Sequence, residues 1–205
     1  MKTRDRIILT AIDMFNTFGA GEVSTKRIAG EMGISPGNMY YHFNTKEELV
    51  RSIWEIMETE LDRVWGVDDV HHSEQAIAEF LQGLSSVFYR YRFFYLELPV
   101  LMGRDPLLKD MYSARTRRML ERFMGFTRSW IHLGIMRTIP SEKEQTLLIR
   151  NMWLVSQLWM YYWHTIYGGV TVDNVKQGML QVLSLYHPYL SPEASARIEA
   201  IIERS

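Results

Sequence analysis

Apolar residues recur every three or four positions along almost the whole chain, and hardly any stretch alternates every second residue. That period is the tightest constraint on the fold, because a side chain returns to one face after about 3.6 residues only in a helix. In the first segment Ile7, Ile8, Ala11, Ile12, Phe15 and Phe18 share a face, and Gly19 and Gly21 stop the helix. Ser24 is a good N-cap for a short second helix through Ile28, Ala29 and Met32, ended by Gly33. Ser35 caps a third, with Pro36 at the first helical position, where a missing N–H costs nothing. Asn44 and Thr45 break it, and Thr45 with Glu48 three residues on predicts a capping box at the start of a long fourth helix.

The rest of the chain continues in the same manner. Gly66 to Ser73, "GVDDVHHS", reads as a polar loop. Helices are expected from about Glu74 to Arg92, in a short stretch interrupted at Pro99, and from Pro106 to about Met136. After Pro140-Ser141 a long one runs from Glu142 to Tyr167, stopped by Gly168-Gly169; another spans Val172 to Tyr186, and a last short one follows Pro192. The expectation is an all-α protein without internal repeats.

Composition narrows the chemistry. At 205 residues, 47% hydrophobic and 23% charged, the chain can bury a substantial core and does not read as disordered. It has no cysteine, which removes disulfides, thiol catalysis and cysteine-bound zinc, and fits a reducing cytoplasm. The charged, then amphipathic start shows no secretory h-region, so a cytoplasmic location is expected. Glycine-rich phosphate loops, nucleophile elbows and carboxylate or histidine clusters are missing, so no catalytic residue, cofactor or enzyme activity is expected. His71-His72 has no third ligand at metal spacing, and no metal site is expected.

The segment "SPGNMYYHF", Ser35 to Phe43, puts four aromatic rings beside Gly37 and Asn38. Two short helices around Gly33-Ile34-Ser35 match a helix-turn-helix, with Ala29 small enough for close approach. Ile28, Met32, Ile34, Met39 and Phe43 would form its small core. The other side of the third helix then presents Gly37, Asn38 and Tyr41, with Tyr40 and His42 on the flanks. The net charge of −1 carries no nucleic-acid signature. Residues 1–46 hold six basic side chains (Lys2, Arg4, Arg6, Lys26, Arg27, Lys46) against four acidic ones (Asp5, Asp13, Glu22, Glu31), a local +2 that merely permits phosphate contact.

The run "STKRIAGEMGISPGNMYYHFNTKEEL", Ser24 to Leu49, resembles the DNA-binding signature of the tetracycline-repressor-like (TetR) transcriptional regulators, and the resemblance covers roughly residues 5–50. It implies a DNA-binding domain over residues 1–48 and a helical effector-binding and dimerisation domain over residues 49–205. Carried over by position, Gly37, Asn38 and Tyr41 would read bases in the major groove, and Tyr40 and His42 would touch phosphate. Ser24, Thr25 and Lys26 at the start of the second helix, Ser35 at the start of the third, and Lys46 complete the expected DNA-facing set. The competing readings are local: Tyr40 as a brace on the second helix, His42 and Arg27 as ordinary surface groups.

Beyond residue 50 the resemblance is one of layout. "MWLVSQLWMYYWHTIY", Met152 to Tyr167, is apolar on nearly every side, and Arg150, Asn151, Gln157 and His164 argue against a membrane span. Burial in its own core and against a second subunit, with the Val172–Tyr186 helix beside it, is the expectation. Phe88, Tyr91, Met102, Phe123, Trp130, Trp153 and Trp159 are candidates to line an effector pocket, with a well-filled core as the alternative. The arginines at 115, 117, 118 and 122 could meet an anion or form a solvated face. The resemblance thus implies a homodimer that represses until a small ligand releases it; a twofold pair suits a near-palindromic operator, and methionines and large rings suit a largely apolar or aromatic ligand. The contrasting reading is a ligand-independent helical interaction protein without specific DNA binding.

Overall fold

The computed structural model describes residues 2–66 and 73–204. Along them run α1 (Thr3–Phe18), α2 (Thr25–Glu31), α3 (Pro36–His42), α4 (Lys46–Trp65), α5 (Glu74–Arg90), α6 (Arg92–Leu96), α7 (Leu98–Arg104), α8 (Pro106–His132), α9 (Glu142–Tyr167), α10 (Val172–Ser184) and α11 (Pro192–Arg204). Among the described residues there is no strand, only an isolated antiparallel bridge between Met136 and Leu190. The protein is all-α. The His71-His72 pair and the interior of the expected polar loop lie outside the described residues.

Helix punctuation follows the sequence closely. The hydroxyls of Ser24, Ser35 and Ser141 accept the N–H of Arg27, Asn38 and Glu144 at 3.2, 3.1 and 3.2 Å, satisfying donors that a helix start leaves open. Three details differ. Thr45 Oγ1 accepts from Glu48 N at 3.1 Å, but the Glu48 carboxylate reaches back to Asn44 N at 2.9 Å, one residue earlier than a capping box requires. Pro99 does not interrupt a helix. It stands in the first turn of α7, and the break falls before it at Glu97. Finally α8 ends at His132, because Gly134 takes φ +72° and turns the chain so that Arg137 N donates to Tyr189 O at 2.7 Å.

Two packing units result. The first comprises residues 2–61 with Arg90–Asp110. Its core holds Ile7, Phe15, Ile28, Met39, Phe43, Leu49, Ile53 and Trp54, each no more than 2% exposed. Residues 90–110 join this core through aromatic contacts: Phe93 lies 5.1 Å from Phe15, and Phe94 stacks on Trp54 at 5.0 Å between centroids. Polar bonds lock the same segment. Asn16 donates to Arg90 O at 2.7 Å and accepts from Phe93 N at 3.0 Å. Buried Asp105 accepts from Arg51 at 2.6 Å with one oxygen and from Leu107 N and Leu108 N with the other, capping α8. Packing therefore does not divide the chain at residue 48, since α6 and α7 share a core with α1 and α4.

The second unit comprises residues 62–66, 73–89 and 111–204. Here α10 packs between α9 and α11, and Trp130, Met136, Ile149, Met152, Met179, Leu183, Ile198 and Ile202 are buried. Trp65 sits among Phe80, Phe123 and Phe126 at 4.9, 4.7 and 5.3 Å, with the Arg122 guanidinium 4.8 Å from its ring. Arg115 is only 4% exposed and pairs with Asp62 at 2.9 Å, so this member of the arginine run is interior rather than part of a solvated face. Trp159 lies flat on α10, where a Cβ on Gly178 would come within 2.5 Å of its ring. No helix among the described residues is long and apolar enough to cross a membrane.

This packing sets opposite expectations for two glycines. Gly178→Ala should destabilise the protein by about 1–3 kcal/mol, because the ring cannot yield to a methyl group. Gly125→Ala, with nothing within 4 Å of the added carbon, should stabilise it by about 0.4–1 kcal/mol. Denaturant unfolding at fixed protein concentration measures both, and equal effects would contradict the packing described. Burial, and then the bond its hydroxyl donates to Glu60, raises Tyr91 from 10.0 to about 12. The folded state holds that proton after the unfolded chain has released it, so stability should be complete below pH 10 and decline between pH 10 and 12. Tyr91→Phe should remove the share of that decline due to Tyr91 and leave the share of Tyr112 and Tyr186, whose hydroxyls burial also raises.

Candidate nucleic-acid interface

The outer face of α3 is built by what its inner face buries. Met39 and Phe43, four apart, are 2% and 1% exposed, and each such burial contributes about 2–3 kcal/mol toward holding the helix down. With those two fixed, rotation of the helix is fixed as well. Tyr41 stands 85% exposed and Tyr40 64% exposed, with Ser35, Gly37 and Asn38 also on the surface. His42 is half-buried, its ring edge-on to Tyr41 at 5.1 Å. A Cβ on Gly37 would meet nothing closer than 3.9 Å, so the fold itself does not require glycine there. Gly33, in contrast, has φ +65° in the turn between α2 and α3 and is needed for that conformation.

The remaining DNA-facing candidates divide. Ser24 and Lys26 are exposed and Thr25 is half-buried. The Ser24 and Ser35 oxygens serve as helix caps, which leaves each hydroxyl proton to donate outward. Lys46 is not a free surface charge. It is half-buried, and Nζ donates to Ala20 O at 2.6 Å and to Val23 O at 3.3 Å. An ammonium has three protons, and these bonds use two.

Two supports were not legible in the sequence. Arg4 places its guanidinium 5.0 Å from the centroid of Phe43 and donates to Ser52 at 2.9 Å, bracing the end of α3 against α4. Arg27 lies over the Phe18 ring at 4.1 Å, a contact that holds α2 on α1. Neither has a spacing signal, because each partner belongs to a different helix.

The seven pocket candidates fall in both packing units. Tyr91 and Met102 belong to the first unit, and Phe88, Phe123, Trp130, Trp153 and Trp159 to the second. Most have a ring partner or packing role: Phe123 against Trp65, Trp130 edge-on to Tyr186 at 5.7 Å, Trp153 near Tyr112 at 6.3 Å, and Trp159 on Gly178. A cleft in the first unit is lined by Ala20, Gly21, Lys46, Glu97, Arg104 and Asp105 among others, and by none of the seven. What the sequence did not single out is a buried polar pair in the second unit. Tyr112 donates to Gln157 Oε1 at 3.1 Å, and Gln157 donates to Ser156 at 3.3 Å. Burial holds the Tyr112 hydroxyl well above the usual tyrosine range.

Comparison with known proteins bears directly on this arrangement. A family model described as "Bacterial regulatory proteins, tetR family" matches residues 7–53, and one described as "Bacterial transcriptional repressor" (TetR) matches residues 48–198. The chain belongs to the TetR family of transcriptional regulators. A TetR-family regulator from Marinobacter aquaeolei VT8 is 32% identical, covers 100% of this chain and 98% of its own, and superimposes with a TM-score of 0.89. The TetR-family regulator PfmR from Thermus thermophilus shares the fold at 20% identity and a TM-score of 0.67, over 89% of this chain and 98% of its own. Curated relatives match over short stretches: AcrR of Shigella flexneri is 33% identical over 60 residues and UidR of Escherichia coli K12 41% identical over 51, covering 29% and 25% of this chain. Those matches span only 28% and 26% of the relatives' own lengths.

Exposure makes the division of labour on α3 testable. Tyr41→Ala should leave unfolding free energy within about 0.5 kcal/mol of wild type, whereas Phe43→Ala should cost about 3–5 kcal/mol. A large loss for Tyr41→Ala would mean that the outer face is structural.

Proposed function

We propose that this TetR-family regulator is a homodimeric repressor that reads a near-palindromic operator with the outer face of α3 and is released by a small, largely apolar or aromatic ligand. The observation that carries the DNA part is the contrast across one helix, Tyr41 85% exposed above Met39 and Phe43 at 2% and 1%. A large aromatic held out in water beside Asn38 and Gly37, with the His42 ring edge-on to it, adds little to the fold and would serve against base edges. Asn38 would bond an adenine edge, Gly37 admit the backbone, and Tyr41 pack on a thymine methyl. Ser24, Thr25, Lys26, Ser35, Tyr40, His42 and Lys46 would fix register on phosphate. In functional terms residues 1–48 carry the reading surface and 49–205 the effector and dimer functions. The protein acts as a regulator in the cytoplasm rather than as an enzyme.

The dimer is supported by α9. Leu147, Leu154, Leu158 and Tyr161 are 46%, 47%, 53% and 54% exposed, and their spacing of seven, four and three places them on one stripe. Such a stripe fits a helix bundle with α9 and α10 of a second copy. Two heads then lie about 34–36 Å apart, one turn of duplex. The effector reading is supported by the aromatic interior of the second unit and by the buried Tyr112–Gln157 pair, which would offer an apolar ligand one polar handle. α4 begins with Lys46 and ends with Trp65 in its aromatic surround, and is the lever by which a ligand would shift head spacing.

Selection of bound duplexes from a random pool tests this reading. Two half-sites one turn apart are expected, with affinity falling steeply as salt rises. Asn38→Ala or Tyr41→Ala should relax base choice at one position by about 1–3 kcal/mol, while Lys46→Ala weakens all sequences alike. Recovery of no preferred sequence would leave the helical interaction protein as the better account.

A further inference from the structure

The turn joining α1 to α2 is gripped by two charged side chains from distant parts of the chain. Glu97, between α6 and α7, accepts the N–H of Ala20 through Oε1 and that of Gly21 through Oε2, the second at 2.9 Å. Lys46 Nζ holds the carbonyl side of the same turn, at 2.6 Å from Ala20 O and 3.3 Å from Val23 O. Ala20 is thus bonded at both ends, its N–H to a carboxylate and its C=O to an ammonium. Gly19 makes the arrangement possible: its φ is +83°, and a Cβ there would stand 3.1 Å from Glu97 Oε1. Every group named belongs to the first packing unit, and Ala20, Gly21, Lys46 and Glu97 line one cleft.

We propose that Glu97, outside the helix-turn-helix, is a positioning residue for DNA binding that acts through Lys46; the proposal rests on the reading of Lys46 as a phosphate contact. Ala20 is 0% exposed, so its N–H has no water to turn to if the carboxylate is removed. The turn must then shift to hydrate it, and the Ala20 carbonyl shifts with it. Lys46 loses the shorter of its two backbone acceptors and keeps only the 3.3 Å bond to Val23 O, so a preorganised charge becomes a looser one that must be ordered again on each binding event. Base reading by α3 depends on Met39 and Phe43 and is left intact. The signature of Glu97 is therefore a uniform loss of affinity without a change in sequence preference.

A double-mutant cycle tests this with Glu97→Gln, Lys46→Met and the combination, using the full-length chain and a labelled duplex recovered from the random pool. Binding is read by anisotropy at a temperature where circular dichroism shows each variant folded. Glu97→Gln keeps the shape and one acceptor, so it serves should Glu97→Ala fail to fold. A loss of about tenfold is expected for Glu97→Gln on preferred and altered sequences alike, with the double variant no weaker than Lys46→Met alone. Wild-type affinity in Glu97→Gln would overturn the proposal while leaving the DNA reading intact. Additive losses would also overturn it, since they would make Glu97 a brace independent of Lys46. Failure of the wild-type protein to bind any duplex would overturn both readings.

Discussion

The burial of Met39 and Phe43 is the interaction on which the rest of the head depends. A seven-residue helix has too few internal hydrogen bonds to hold itself in water, so α3 exists as a helix because it is capped and because one side is pressed into a core. Ser35 and Pro36 start it, and the two apolar side chains fix its rotation. Everything exposed on the other side, Tyr41 above all, is placed by what those two residues bury. Arg4 on Phe43 and Arg27 on Phe18 then bind α3 to α4 and α2 to α1 with charges that also raise the local positive potential.

The head is also larger than its motif. Residues 90–110 are bonded to it by Asn16, by the Arg51–Asp105 pair, by Glu97 and by the Phe93 and Phe94 contacts. The buried carboxylate of Asp105 has both oxygens occupied, which is what makes a charge tolerable at 5% exposure. The first three helices therefore draw part of their stability from residues more than forty positions downstream of the helix-turn-helix. Those residues fall within the 48–198 span matched by the repressor model, so similarity and packing divide the chain at different places.

Much of this was legible in the residues because it is local chemistry. Ser24, Ser35, Pro36, Gly33 and Gly168 act within one helical turn, and their effects do not depend on what folds against them. The Met39–Phe43 spacing assigned faces correctly for the same reason. Pro99 was misread because proline marks a helix boundary without saying which side of it the helix lies on. Glu48 bonded Asn44 rather than Thr45 because two adjacent N–H groups compete for one carboxylate. The residues alone do not sort the pocket candidates, because an aromatic side chain looks the same in sequence whether it lines a cavity or packs on a neighbour, as Trp159 does on Gly178. Arg4 with Phe43, Arg115 with Asp62 and Glu97 with Ala20 are long-range pairs, and no spacing announces them.

The central claim is that α3 is an outward-facing reading helix whose orientation is set before any duplex arrives. The structure of the protein on a duplex selected from a random pool tests it most directly. The account predicts one α3 from each of two subunits in successive turns of the major groove, Asn38 and Tyr41 against base edges, and Met39 and Phe43 as buried as in the free protein. A duplex held by some other surface, or a Phe43 drawn out of its core to reach the bases, would contradict it.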